Sequence, residues 1–234
     1  VSPVSTARSL LATGTAFPAV VLRSSGAAAR LIASASASVV HSSGSGLVLA
    51  PDAGGDLEAN VAHCLFWDNG APAPLPPFAS GAIVEAVGGV GPRPVVRVIN
   101  SIFRENLLVA ELPHHDPATY LLEHNMFEDP LLAALPTSVP GEPVFVQPES
   151  DDFHILAPSA NRDAGTTLYG FEYADLDGDP FKPQAGGDGL PDLGPDEYYE
   201  RYLYFHPRLT LGETSSLRVL GPAGDLAFVH MGPQ

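Results

Sequence analysis

Three segments of this chain repeat one pattern, and the repetition constrains the fold more than any other feature. In residues 62–69, 99–106 and 123–130 a small or polar residue precedes an apolar residue, phenylalanine, one variable residue and an acid. The equivalent phenylalanines are Phe66, Phe103 and Phe127, at spacings of 37 and 24 residues. A solenoid places successive repeats on top of each other, so these three rings are predicted to stack in one core.

The spacings indicate coils of unequal length. A step of 24 residues suits one coil of a parallel β-solenoid, and the step of 37 suits a coil plus a loop, which the Pro- and Gly-rich residues 70–94 supply. Residues 24–46, rich in Ser, Ala and Gly, are interpreted as thin coils, with a low-complexity linker as the alternative. For the whole pattern, the alternative is an ordinary β-sandwich with chance similarity between its strands.

The last third of the chain carries a second pattern. Residues 152–165, 175–180 and 192–198 read D-F-H-I-L-A-P-S-A-N-R-D-A-G, D-L-D-G-D-P and D-L-G-P-D-E-Y. This order resembles the end of secreted or cell-surface bacterial right-handed parallel β-helix proteins, pectate-lyase-like solenoids. Those proteins close with D-(F/Y)-x-L-x-x-x-S-x-A-x-D-A-G, D-x-D-G-x-P and D-x-G-x-x-E-(F/Y). Ile155 departs from the Leu of that pattern, and Asn161 departs from its Ala.

The resemblance covers about residues 60–200 and implies an all-β fold, a right-handed parallel β-helix with a C-terminal β cap. Residues 1–148 are then the β-helix coils, with the loop insertion at 70–94. Residues 149–234 are the terminal coil, an acidic loop and the cap, whose strands we expect within 198–229. The resemblance also implies an extracytoplasmic location: secreted, periplasmic or at the cell surface. The chain begins at Val1, so either a signal peptide has been removed or the sequence is a fragment.

The charge is strongly negative and unevenly placed. The formal net charge is −16, and 19 of the 27 acidic residues lie in 121–234. Such a surface repels phosphate, which disfavours nucleic-acid binding, and it attracts cations such as Ca²⁺. A solubilising acidic surface is the alternative explanation. No stretch of 18 or more apolar residues occurs, so no transmembrane segment is expected.

A run of aspartates provides a candidate metal site. The predicted Ca²⁺ ligands are Asp175, Asp177, Asp179, Asp188 and Asp192. Alternation along the chain puts the first three on one side, but the segment departs from an EF-hand, because Gly178 stands at its fourth position. The alternative is that these side chains cap turns by accepting backbone N–H bonds.

Other reactive side chains carry weaker signals. Cys64, the only cysteine, lies in an apolar run and is interpreted as a small buried hydrophobe. His63 and His124 occupy repeat positions and are predicted to be corner residues. Segment 114–116, His-His-Asp, lies between Pro113 and Pro117 and is interpreted as an exposed loop. A metal ion shared by the two histidines is not expected, because adjacent residues in a strand face opposite ways.

The sequence offers little for catalysis on polysaccharides. A lyase needs a basic residue on the coil faces, but Lys182, the sole lysine, lies outside the predicted coils. A hydrolase needs paired carboxylates, and Asp68, Glu105 and Asp129 could form an acidic ladder, but we interpret them in preference as solvated corner residues. We therefore expect a non-enzymatic scaffold or accessory subunit that docks on a protein partner in a larger assembly. A carbohydrate-binding or polysaccharide-cleaving protein is the alternative.

Overall fold

The fold consists almost entirely of β-strands. The computed structural model describes residues 4–8, 11–23, 31–50, 56–69, 83–85, 95–106, 120–168, 174–178, 181, 189–198, 202–206 and 216–220. Among these residues the only α-helix is the four-residue α1. The all-β class is therefore confirmed for the described part of the chain.

The largest sheet is parallel. Its strands are β1 (Val4–Arg8), β2 (Leu11–Arg23), β3 (Leu31–Ala50), β4 (Leu57–Trp67), β5 (Ile83–Glu85), β6 (Val95–Ile99), β7 (Ile102–Arg104) and β8 (Tyr120–Glu123). Their order is β1-β3-β4-β6-β8, with β2 and β5 beside β3 and β7 beside β4. Strand β3 runs through the described part of segment 24–46, so that part is a strand and not a linker. Strand β5 lies within segment 70–94.

The remaining elements follow β8. They are α1 (Pro130–Ala133), β9 (Phe145–Gln147), a 3₁₀ turn (Pro148–Ser150), β10 (Asp152–Ile155), β11 (Tyr202–His206) and β12 (Ser216–Leu220). β9 pairs antiparallel with β10, and β11 pairs antiparallel with β12. Strands β11 and β12 lie within the predicted cap, but their side chains lie outside the described residues, so the cap stays a prediction.

The sheet register has the spacing of the sequence repeat. Ala59 pairs with Val96, a step of 37 residues, and Val98 pairs with Leu122, a step of 24 residues. The same register brings the repeated phenylalanines together. The ring centroids of Phe66 and Phe103 are 4.9 Å apart with an interplanar angle of 9°, and those of Phe103 and Phe127 are 4.9 Å apart at 25°. The predicted phenylalanine stack is confirmed.

The long strands bend at corners in left-handed conformation. Two sets of corners recur in register, and their φ values lie between 44° and 54°. The first set is Ala37, His63, Asn100 and His124, and the second is Ser42, Asp68 and Glu105. Such φ values suit short polar side chains, which hydrogen-bond locally. His63 and His124 are therefore corner residues, as expected.

Buried polar side chains join the strands after the first corner. Ser38 pairs with Cys64 in register, and the Cys64 amide donates to Ser101 Oγ at 3.2 Å. The Ser101 amide donates to Asn125 Oδ1 at 2.9 Å, and Asn125 Nδ2 donates to the Val98 carbonyl at 2.6 Å. This ladder satisfies backbone groups where the strands bend away from ordinary pairing.

Asn125→Ala tests the ladder. The change leaves the Ser101 amide and the Val98 carbonyl buried without these partners, and we expect a loss of about 2 kcal/mol in the free energy of unfolding. Asn106→Ala is the control, since Asn106 makes similar bonds to the Asn69 amide and the Phe66 carbonyl at a half-exposed site where water can replace them. Equal losses for both variants in urea unfolding would contradict this role for burial.

The two halves of the bent strands have different surroundings. In the first half, buried side chains alternate with exposed or half-exposed ones, as at 57–60, 95–98 and 120–123. In the second half both faces are buried. Val39, Leu65 and Ile102 there face a second cluster formed with Phe153 and Leu193 of the terminal segment. The terminal segment thus covers the second half of the sheet and leaves the first half partly open.

The edge of β8 is covered by the chain that follows it. Leu132 of α1 and Leu135 pack against the phenylalanine-containing core. Thr137 Oγ1 donates to the Leu122 carbonyl at 2.8 Å, and the Thr137 carbonyl accepts from the His124 amide at 3.0 Å. Part of the protection that an open sheet edge needs thus comes from the segment that directly follows β8.

Candidate functional site

Two aspartates of the predicted metal site hold backbone turns. Asp175 is fully buried, and its Oδ1 accepts from the Asp177 amide at 3.0 Å while Oδ2 accepts from the Glu197 amide at 3.4 Å. Gly178 closes the same turn at φ 96°, with its amide 3.2 Å from the Asp175 carbonyl. These contacts are those of the turn-capping alternative.

Asp192 has the same kind of surroundings. It is fully buried, its Oδ1 accepts from the Asp163 amide, and its Oδ2 accepts from the Tyr198 amide, both at 2.6 Å. The amide of Asp192 donates to Glu197 Oε2 at 3.0 Å. The D-x-G-x-x-E-Y motif therefore folds as one compact turn with its acids inside. Asp179 and Asp188 lie outside the described residues, and Ca²⁺ binding by the five aspartates stays a prediction.

The side chain of Asp177 contacts His154, which is not among the residues predicted for the metal site. His154 Nε2 is 2.6 Å from Asp177 Oδ2, and His154 Nδ1 is 2.7 Å from Asp152 Oδ1. Asp152 and His154 are two residues apart on β10, so their side chains share one face. Strand β10 is placed by its pairing with β9 across the 3₁₀ turn, which ends at Asp151 with φ 60°.

The buried carboxylate of Asp196 lies close to His154 and Asp177. Asp196 is 2% exposed, and its Oδ2 accepts from the Ile155 amide at 2.8 Å. Its Oδ1 has no hydrogen-bond partner in the described part of the chain. One ligand atom from each of His154, Asp177 and Asp196 lies within 4.8 Å of the other two. We call these three residues the His–Asp cluster.

The electrostatics of the His–Asp cluster follow from burial and close pairing. Burial lowers the pKa of His154, but hydrogen bonds to Asp152 and Asp177 and the nearby Asp196 carboxylate outweigh it and raise that pKa to about 10. Burial raises the pKa of Asp196 well above its ordinary value, against the opposing effects of His154 and the Ile155 amide. A positive charge at this site is thus stabilised by the surrounding carboxylates.

No family model matches this chain, and neither a curated protein nor a solved structure matches it. Function must therefore be argued from the side chains and their geometry. Among the described residues, no helix is both long enough and apolar enough to cross a membrane.

The predicted acidic ladder forms with one change of residue. Asp68 and Glu105 lie at successive left-handed corners, and the Glu105 amide donates to Glu128 Oε2 at 2.6 Å. Asp129 instead caps α1, where its Oδ1 accepts from the amides of Leu131 and Leu132. Partial burial, together with the charges of Asp68 and Glu128, raises the pKa of Glu105.

The remaining candidates have structural surroundings or fall outside the description. Cys64 is 1% exposed, and burial raises the pKa of its thiol to about 12, so the interpretation as a buried hydrophobe is confirmed. His63 is buried against the Phe181 ring, with centroids 3.9 Å apart. Segment 114–116 and Lys182 lie outside the described residues.

Two residues of the His–Asp cluster were missed as ligands by sequence reasoning. His154 lies within the terminal motif, and Asp196 lies in its D-E-Y end, but neither was assigned to the metal site. His154 is 23 residues from Asp177, and Ile155, which binds Asp196, is 41 residues from it. The sequence feature that could have indicated a ligand is the Asp-x-His pattern of β10. It places a carboxylate where it can hydrogen-bond to the second nitrogen of a metal-binding histidine.

Proposed function

We propose that this chain is a right-handed parallel β-helix that works as a non-enzymatic extracytoplasmic scaffold. It is an accessory subunit that docks on a larger cell-surface or secreted assembly through a protein partner. The observation that carries the proposal is the recurrence of left-handed corners in register, at steps of 26, 37 and 24 residues, along a parallel sheet. Parallel pairing with repeated corners is what stacked coils produce.

The docking of the terminal segment supports the same proposal. The Gly194 amide donates to the Asn100 carbonyl at 2.8 Å, and the Thr166 amide donates to Asn100 Oδ1 at 2.9 Å. Gly194 has φ 93°, a backbone conformation that side chains other than glycine rarely adopt, and a Cβ there would also lie 2.9 Å from Ile102 Cδ1. The terminal motif thus serves packing, as expected for the closing segment of a scaffold.

The partly open half of the sheet is the proposed docking surface. Its exposed or half-exposed positions are Ile32, Ser34, Glu58, Asn60, Val95, Arg97, Leu121 and Glu123. Val95 is 42% exposed, and Arg97 donates to Glu58 Oε1 at 3.1 Å and to Asn60 Oδ1 at 3.3 Å. A surface of paired charges with apolar side chains between them suits a protein partner better than a highly charged glycan.

Purification of the tagged chain from its native source tests this surface. A partner should remain with the wild type and with Leu131→Glu, because Leu131 is 82% exposed on α1 and is not one of the docking-surface positions. Val95→Glu should reduce the same partner by about tenfold or more, since it places a charge at the most exposed apolar position of the docking surface. Equal recovery with both variants would reject the docking surface, and recovery of glycan alone would favour the alternative function.

The alternative, a carbohydrate-cleaving protein, is favoured by one observation. Asp68, Glu105 and Glu128 cluster at a corner, and the raised pKa of Glu105 is the property of a general acid. Against it, two of the basic residues on the sheet are engaged, since Arg97 pairs with Glu58 and Arg104 pairs with Glu142.

We expect no cleavage of pectin, alginate or similar acidic glycans. The acidic surface repels uronate chains, and Glu105 is mostly exposed to solvent, where a carboxyl group is a weak acid catalyst at neutral pH. Reducing-end and unsaturated-product assays against a heat-inactivated sample measure this. Product formation that disappears in Glu105→Gln would establish the alternative function.

A further inference from the structure

We propose that His154, Asp177 and Asp196 bind one divalent transition metal of the Zn²⁺ class, and that this ion joins three separate parts of the terminal segment. The site differs from the predicted Ca²⁺ site in its donors and shares only Asp177 with it. It does not depend on the scaffold function, since any fold with this terminal segment would contain it.

The geometry is close to that of a metal site. The three ligand atoms lie within 4.8 Å of one another. Ligands at the usual Zn–N and Zn–O bond lengths in a tetrahedron are about 3.4 Å apart, so small side-chain rotations suffice. His154 Nε2 and Asp177 Oδ2, now 2.6 Å apart, would separate as the metal replaces the proton between them. Asp177 is only partly buried, with its side chain 32% exposed, which gives the ion a route of entry.

The unpartnered oxygen of Asp196 is an independent indication of a ligand. A buried carboxylate oxygen without a hydrogen bond is costly, and native proteins satisfy nearly all such atoms. Asp196 is 2% exposed, and its Oδ1 has no partner within the described residues. Since Oδ2 is held by the Ile155 amide, the carboxylate is fixed in orientation and can offer a preformed ligand.

The donor set selects the class of metal. Ca²⁺ takes oxygen ligands only in ordinary sites, whereas imidazole nitrogen with carboxylates suits Zn²⁺ and its neighbours. Asp152, 1% exposed and 2.7 Å from His154 Nδ1, fixes the ring and leaves Nε2 directed at the cluster. A carboxylate behind a ligating histidine is the usual support of a zinc ligand.

A proton network is the competing explanation. In it His154 is an imidazolium between Asp152 and Asp177, and Asp196 is a neutral acid. The two explanations differ in whether the full chain binds a metal ion at the His–Asp cluster. In the proton network the imidazolium already balances the carboxylate charge, so no added cation is expected to bind there.

The experiment is a Zn²⁺ titration of the tag-free full chain after dialysis against chelator. Isothermal titration calorimetry and elemental analysis should give one Zn²⁺ per chain. The melting temperature should rise by about 5–10 °C at a hundredfold excess over Kd. Ca²⁺ and Mn²⁺ are titrated in parallel. His114 and His115 are adjacent in sequence and could bind Zn²⁺ independently of the His–Asp cluster. A variant with both changed to glutamine measures this background.

Variants assign the ion to its ligands. His154→Gln and Asp196→Asn should each weaken Zn²⁺ binding by about tenfold or more, while Glu149→Gln, an exposed carboxylate of the 3₁₀ turn, should bind as the wild type does. Asn at 196 can still accept from the Ile155 amide. If circular dichroism shows that Asp196→Asn is unfolded, Asp177→Asn replaces it.

Any of four results would overturn the proposal. The first three are no uptake of Zn²⁺ at 1:1 stoichiometry, unchanged affinity in the ligand variants, and loss of binding only in the His114 and His115 variant. The fourth is tighter binding of Ca²⁺ than of Zn²⁺, which would favour the aspartate site instead.

Discussion

Phe103→Ala should lower the free energy of unfolding by about 3–5 kcal/mol, the cost of truncating a buried aromatic side chain. Phe103 is fully buried, and its ring lies between Phe66 and Phe127 at 4.9 Å from each. Removing the central ring breaks both stacked pairs at once, and close-packed neighbours on paired strands cannot fill the space.

Urea unfolding followed by fluorescence and circular dichroism measures the effect. Leu131→Ala is the matched control, because Leu131 is 82% exposed and its truncation should change stability by less than about 0.5 kcal/mol. A loss below roughly 1 kcal/mol for Phe103→Ala would mean that the three rings do not form one continuous core.

Acid should destabilise the protein through His63. Burial lowers the pKa of His63 to about 3, against weaker opposing effects from the backbone of Asp192 and Gly194, whereas the unfolded chain titrates near 6.5. The unfolded state therefore binds the proton first. The stabilising contribution is complete above pH 6.5 and is lost as pH falls towards 3. Between pH 7 and pH 4 the loss should be about 3 kcal/mol.

His63→Asn isolates this contribution. Asparagine tolerates the left-handed conformation, and Asn100 occupies the equivalent corner of the next strand along the sheet. Stability measured from pH 7 to pH 4 should fall less steeply for the variant than for the wild type. Parallel curves for the two proteins would show that His63 does not titrate on unfolding in this range.

The repeat allowed the central part of the fold to be predicted. Phe66, Phe103 and Phe127 have the same local sequence, and side chains at equivalent repeat positions must meet when strands pair in register. The corners at His63 and His124 followed from the same alignment, since a bend recurs wherever the strand pattern does. Asp129 was assigned wrongly to the acidic ladder, because a helix N-terminus directly after it provides two amides for its carboxylate.

The terminal segment could be identified by its motif, but its contacts could not be predicted. Asp175 and Asp192 are predicted either to bind Ca²⁺ or to cap turns, and the structure buries both as acceptors of backbone N–H bonds. Alternation in an irregular turn does not show which side faces the protein. The His–Asp cluster joins residues 19 to 42 positions apart with no shared period, so only the folded chain brings His154, Asp177 and Asp196 together.

The single cysteine has a practical consequence. Cys64 lies in the buried ladder between Ser38 and Ser101, and its thiol has a pKa of about 12, so in the closed sheet it is shielded from reagents and almost wholly in the unreactive protonated form. A thiol-modifying reagent can therefore react only when local opening separates β4 from its neighbours β3, β6 and β7. The rate at which the wild-type protein is modified therefore reports how often its central strands open. Cys64 is the only cysteine, so no second thiol contributes to that rate.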